Sequence, residues 1–210
     1  MAEKLTREKL IAAALTIVDR DGLDALSMRK LGAELGVDPM AAYRHLPNKE
    51  ALLDGVIEAV AGSADTSVDT TLPWQGQLQQ LIRANLKATL AHPNVLPLLA
   101  QRPLTTPGSL GLVERSFEIM TGAGIPLKQA ALAINTMGLL SASLAVAMSA
   151  SATDPRGSEE MQQLFASLPR EEFPNIVRAI ETGQFIESHD EILDFWTGAL
   201  IERLERTIAS

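Results

Sequence analysis

From Gln129 to Thr153 the chain reads "QAALAINTMGLLSASLAVAMSASAT", with no charged side chain in the run. An uncharged stretch of that length has to be covered, either by lipid, since about 20 apolar residues cross a bilayer, or by other protein. Its composition argues for protein. Asn135, Thr136, Gly138 and repeated Ser and Ala weaken its partition into hydrocarbon, and neither a basic cluster nor an aromatic belt marks its ends. The run therefore predicts a helix buried between other helices, with no membrane as partner.

What surrounds it is helical too. Apolar residues recur at helical spacing, and no alternating or β-branched run is bounded by hairpin turns, so the fold class is all-α. With 46% hydrophobic and 21% charged residues over 210 positions, the composition is that of a folded globular chain. The absence of cysteine excludes a disulfide framework, a thiolate nucleophile and a cysteine-ligated metal, and fits a reducing compartment. The opening "MAEKLTREKL" mixes both charge signs and lacks the apolar core of a signal peptide, so a cytoplasmic location is expected.

Helix punctuation is densest near the start. Thr6 opens a helix with Leu10, Ala13, Ala14, Ile17 and Val18 on one face, and Gly22 ends it. Ser27 caps a second helix stopped by Gly36. Asp38 caps a short third with Pro39 in its first turn, and Asn48 opens a fourth that fades at Gly62. A polar segment, "SADTSVDTTLP", follows, then helices expected over about 74–91, 94–101, 108–121, 126–151, 159–166, 170–182 and 190–207. The expected organisation is a three-helix unit over 1–47, a connecting helix over 48–62 and a larger helical domain over 63–210.

Two short helices around a glycine turn, braced by a longer first helix, form the pattern of a helix-turn-helix DNA reader. The second of the pair, Asp38 to His45, is the one to enter a major groove, with Ala41 and Ala42 small enough for close backbone approach. Tyr43, His45 and Lys49 can donate to phosphate oxygens, which fixes register without reading sequence. Arg29 and Arg44 can engage guanine O6 and N7 with two hydrogen bonds, and Pro39, Met40 and Ala41 can meet thymine methyls. Ser27 and Met28, at the start of the second helix, complete the DNA-facing candidates. Although the chain carries a net charge of -8, Arg29, Lys30, Arg44 and Lys49 outnumber Glu34 and Asp38 in this stretch. The basic footprint is local.

The run "LSMRKLGAELGVDPMAAYRHLPNKEALLDGV", residues 26–56, resembles the DNA-binding signature of the TetR family of transcriptional repressors. The likeness rests on the Leu-Ser start, the Leu-Gly-Val turn, Tyr43, His45, and Asn48-Lys49 followed by Ala-Leu-Leu. His45 and "NKEALLD" are most similar to the tetracycline-repressor branch. The resemblance implies a homodimer that releases a double-stranded operator when a small-molecule inducer binds the C-terminal domain. It also implies phosphate contacts from Ser27, Tyr43, His45 and Lys49, and base contacts from Arg29, Pro39 and Met40. Arg44 stands where the tetracycline repressor has an aromatic residue.

For the inducer, the helix from Trp74 to His92 offers Leu78, Ile82, Asn85, Leu86 and Thr89 in a mixed stripe. His92 lies seven residues beyond Asn85 on the same face. Phe117, Met120, Met137, Leu140, Ser141 and Met148 are further pocket candidates, because methionine adapts to varied shapes. The chain has three histidines, His45, His92 and His189, so no metal site or cofactor is expected and the inducer is expected to be mostly apolar. The family's four-helix dimer interface would draw on Leu127, Ala131 and Leu144 of the uncharged helix and on Leu193, Trp196, Leu200, Ile201 and Leu204 of the last one.

The competing reading is an all-α enzyme or small-molecule carrier whose first helices merely pack. Neither a metal-ligand spacing, a phosphate-cradling glycine loop nor a nucleophile elbow supports it. An activator using the same reading head is a third.

Overall fold

Four side-chain caps set the first four helices. Thr6 accepts from the Lys9 amide at 3.3 Å and starts α1, Arg7–Asp21. Ser27 accepts from the Lys30 amide at 3.2 Å and starts α2, Met28–Leu35. Asp38 accepts from the Met40 amide at 2.7 Å ahead of α3, Pro39–Tyr43, and Asn48 from the Ala51 amide at 2.8 Å ahead of α4, Lys49–Gly62. Each cap satisfies an amide that the first turn of a helix leaves without a partner. The expected starts of these four helices hold. Gly36, at φ +64°, makes the left-handed turn between α2 and α3 that side chains with a Cβ resist.

The computed structural model describes residues 4–101, 107–153, 160, 163–184 and 188–208, and every regular element among them is helical. After α4 come α5 (Trp74–Leu90), a 3-10 turn (Pro93–Val95), α6 (Leu96–Gln101), α7 (Pro107–Gly122), α8 (Leu127–Thr153), α9 (Pro174–Glu181) and α10 (His189–Ile208). The helix expected over 159–166 falls partly outside the described residues, which are helical at 160 and 163–166. The one expected over 170–182 starts later, at Pro174. Proline has no amide hydrogen to donate and disfavours an α conformation at the residue before it, and Phe173 accordingly sits at φ -126°, ψ 52°.

Two apolar cores result. The first gathers Leu10, Ile17, Leu31, Leu46, Leu52 and Val56 from the N-terminal helices, and it also takes Val95 and Leu98 from beyond the expected boundary at residue 63. The second joins α5, α7, α8 and α10 through residues such as Leu78, Ile82, Met120, Ala133, Leu144 and Leu204. α4 packs against both α1 and α7 and so belongs to both units.

The uncharged helix departs from expectation. Only 28% of the apolar window in Leu127–Ser149 is buried within the chain. One face of α8 packs on α5, α7 and α10, while Leu132, Leu139 and Val146 on another are exposed. A single chain has too few helices around α8 to enclose it.

Gly32 and Gly138 predict opposite outcomes. A Cβ on Gly32 would stand 2.9 Å from the backbone carbonyl oxygen of Val37, whose amide closes the turn on the Gly32 carbonyl, whereas one on Gly138 meets nothing within 4 Å. Gly32→Ala is expected to cost about 1–3 kcal/mol by overpacking. Gly138→Ala should gain about 0.5–1 kcal/mol from helix propensity. Urea unfolding of the two variants measures both.

Candidate DNA-reading surface and ligand cavity

The DNA-facing candidates cluster at helix starts. Ser27 and Arg29, at the beginning of α2, are exposed, as are Tyr43, Arg44 and His45 at the end of α3 and Lys49 at the first position of α4. Met40 is 67% exposed, an unusual position for methionine unless something covers it, and Pro39 and Ala41 beside it are half-buried. One candidate departs from the others. Met28 is buried in the first core beside Leu31, so its side chain does not face outward, and Ala42 is fully buried as well. In a helix this short the residues alternate quickly between core and solvent, and Ala42 and Leu46 are the ones that anchor it.

An ion-pair network fixes α2 against α1. Arg20 donates to Glu34 at 2.9 Å and to Asp21 at 3.0 Å, and Lys30 reaches Asp21 at 2.7 Å. The hydrogen bonds from Arg20, then those from Lys30, hold the Asp21 carboxyl down at about 2, and Arg20 holds Glu34 below its usual range. Lys30 is thereby committed within the protein. Arg29, Arg44 and Lys49 are exposed and form no ion pair among the described residues, which leaves them accessible to an outside partner.

The larger unit and the end of α4 line a partly open cavity of about 670 Å³. Its wall is built from the end of α4 (Val60, Ala61), from α5 (Leu81, Ile82, Asn85, Thr89), from α6 (Leu96, Leu99, Gln101), and from α7 and α8. Six sequence candidates line it: Ile82, Asn85, Thr89, Phe117, Met137 and Ser141. The rest lie elsewhere. Leu78 and Met120 are fully buried in the second core, Leu140 is 40% exposed, and Leu86 and Met148 border a separate surface groove with Arg83 and Asp190. His92 turns away to Asp19 of α1, its Nδ1 2.9 Å from a carboxylate oxygen.

Sequence reasoning missed Val60, Ala61, Leu96, Leu99, Ser116 and Asn135 as wall residues. Apolar residues at helical spacing look the same whether they meet a core or a cavity. The described lining residues carry no ionisable side chain. Thr89, Ser116 and Asn135 each donate to a carbonyl one turn back in their own helix, and the Asn85 side chain has no hydrogen-bond partner among the described residues.

Most of the expected dimer residues face the interior of their own chain. Leu144, Leu193, Ile201 and Leu204 are buried within the chain, Trp196 and Leu200 pack against the same core, and Ala131 lines the cavity. Leu127, 65% exposed, is the one left open. The uncovered apolar side chains are instead Leu132, Leu139 (75% exposed) and Val146 on α8, seven residues apart, with Ile192 and Phe195 (83% exposed) on the adjoining α10.

Residues 69–201 match the family model "Tetracyclin repressor-like, C-terminal domain", and residues 10–56 match "Bacterial regulatory proteins, tetR family". The HTH-type transcriptional repressor DrrR1 of Streptomyces coeruleorubidus is 31% identical over 122 residues, 58% of this chain and 45% of that protein. The tetracycline repressor protein class D of Escherichia coli is 31% identical over 137 residues, 64% of this chain and 62% of its own. The chain thus spans less than two thirds of either curated relative. Among solved structures, the Streptomyces coelicolor protein ActR in complex with (S)-DNPA superposes with a TM-score of 0.83 at 26% identity, covering 97% of this chain and 98% of that one.

The network at the end of α1 predicts an acid response. The Asp21 carboxyl is depressed in the folded protein, so its contribution is complete above the ordinary value of 3.8 and is lost as the pH falls from there toward about 2. Asp21→Asn should remove that share. Circular dichroism melts of both proteins at pH 5 and at about pH 3 should show a smaller difference at the lower pH.

Proposed function

We propose, on the premise that the chain belongs to the TetR family of bacterial regulatory proteins, that it is a ligand-responsive transcriptional regulator. It acts as a repressor that leaves a palindromic operator when a small, mostly apolar molecule occupies the 670 Å³ cavity. The observation that carries this reading is the span of α4, which begins at exposed Lys49 beside α3 and ends with Val60 and Ala61 in the cavity wall. A helix of 14 residues bridges about 20 Å, so one rigid element touches both sites.

On DNA, Tyr43, His45, Lys49 and Ser27 hold phosphates, and Arg29, Arg44, Met40, Pro39 and Ala41 face base edges. Two copies present two such heads, set about 34–36 Å apart or a multiple of that distance, for successive major grooves on one side of B-DNA. The second copy covers the stripe of Leu132, Leu139 and Val146 with Ile192 and Phe195. This is protein cover for the apolar helix, in a cytoplasmic protein. The ligand acts by binding more tightly to a head spacing that no longer matches the operator. Relatives named as repressors support a regulator over a catalyst.

Selection from a random duplex library at fixed, near-physiological salt should enrich a palindrome, and the absence of any enriched sequence would sink the DNA-binding reading. On the selected duplex, Arg29→Ala should weaken binding by about 1–3 kcal/mol and relax preference at one base pair. Lys49→Ala should weaken all sequences alike and lower the salt slope by about 1. In sedimentation, Phe195→Asp should convert dimer to monomer, and an unchanged dimer would remove this stripe from the interface.

A further inference from the structure

The segment between α5 and α6 grips the reading head. Asn94 donates its side-chain amide to the carbonyls of Val18 and Asp19, 3.0 Å each, in the last turn of α1. The Val18 carbonyl also accepts from the Gly22 amide at 2.9 Å, whereas the Asp19 carbonyl is among those that a helix end leaves without an amide further along its own chain. Here the cap comes from more than 70 residues away. His92 Nδ1 meets the Asp19 carboxylate beside it at 2.9 Å. The 3-10 turn that carries Asn94 is closed by the Val95 amide on the His92 carbonyl, also at 2.9 Å, so the two side chains are held as one piece.

The same segment reaches the cavity. Val95 and Leu98 are buried in the head's core, whereas Leu96 lines the cavity and packs in the second core. Leu99 lines the cavity and touches the head's core as well. Only Val95 separates Asn94 from Leu96. In an interior packed this closely, a ligand that displaces Leu96 cannot leave Asn94 in place.

We infer that Asn94, seconded by His92, is a positioning residue that couples the cavity to the C-terminal end of α1, a route separate from α4. This rests on the reading of the cavity as the effector site. Occupancy pushes on Leu96 and Leu99, the amide of Asn94 shifts off the Val18 and Asp19 carbonyls, and α1, which braces α2 and α3, is freed to tilt. A merely structural cap would stabilise α1 to the same degree whatever fills the cavity. A coupling residue makes the two effects non-additive.

The test is hydrogen exchange of the amides in the last turn of α1, read on the full chain without DNA. A cavity-filling substitution, Ala142→Phe, stands for the ligand. The expected result is exchange about tenfold faster in Ala142→Phe than in the parent, fast exchange in Asn94→Ala, and less than a twofold further change when the two are combined. Asn94→Asp, which keeps the shape and removes the donor, should match Asn94→Ala. Should Ala142→Phe fail to fold, Gly138→Leu fills the same wall at a position where a Cβ meets nothing within 4 Å.

A full effect of cavity filling in the Asn94→Ala background would overturn the proposal. So would parent-like exchange in Asn94→Asp, or no effect of either filling substitution on α1. Because no DNA is present, a failed operator selection would leave this coupling readable. Loss of the coupling would likewise leave the DNA-binding reading standing.

Discussion

The close packing of α4 on α1 is the constraint from which the arrangement of both units follows. At Gly55 the two helices approach so tightly that a Cβ would lie 2.6 Å from the Ile11 side chain, and the Arg7–Glu58 ion pair at 2.9 Å ties them again one turn away. Leu52, Val56 and Val60 complete the head's core from the same helix. Since α4 also packs on α7 and ends in the cavity wall, the head is oriented by the body through a shared rigid rod rather than a flexible linker. The grip of Asn94 on α1 adds a second attachment at the far end of that helix, so the head is held at two points.

Charge is handled with similar economy. An acidic chain can meet a polyanion only where its positive side chains are left free, and the ion-pair network of Arg20, Asp21, Lys30 and Glu34 decides which ones are. It spends Lys30 on holding α2 in place and leaves Arg29, Arg44 and Lys49 exposed. The outcome is a small basic footprint carried by a frame whose own charges are neutralised. That suits short, register-dependent contact better than general attraction to nucleic acid.

Beyond Lys128 in its first turn α8 carries no charge, and it resolves a different problem on each of its faces. One packs into the second core, one lines the cavity with Ile134, Met137 and Ser141, and one remains open with Leu132, Leu139 and Val146. Lys128 in the first turn is exposed, whereas a charge at a core or cavity position further along would be buried without a partner, and one beside Leu139 would fall in the proposed dimer interface. In the proposed dimer, the long run without charge answers the demands of all three surfaces.

By itself the sequence determined the helices and their ends. Thr6, Ser27, Asp38 and Asn48 cap where local chemistry says they must, because a cap joins a side chain to an amide two or three residues away and needs nothing distant. The exposure of Ser27, Arg29, Tyr43, Arg44, His45 and Lys49 was legible for the same reason, with Met28 as the exception among the candidates, since which side of a short helix faces inward depends on what packs behind it. Only the tertiary structure decided that Ile82, Asn85 and Thr89 meet a cavity while Leu78 and Leu86 do not, that His92 and Asn94 belong to α1, and that Leu139 and Phe195 stay open while Leu144 and Leu193 close the core. Those choices depend on the direction each apolar stripe points once several helices compete for the same interior, and helical spacing repeats alike on every one of them.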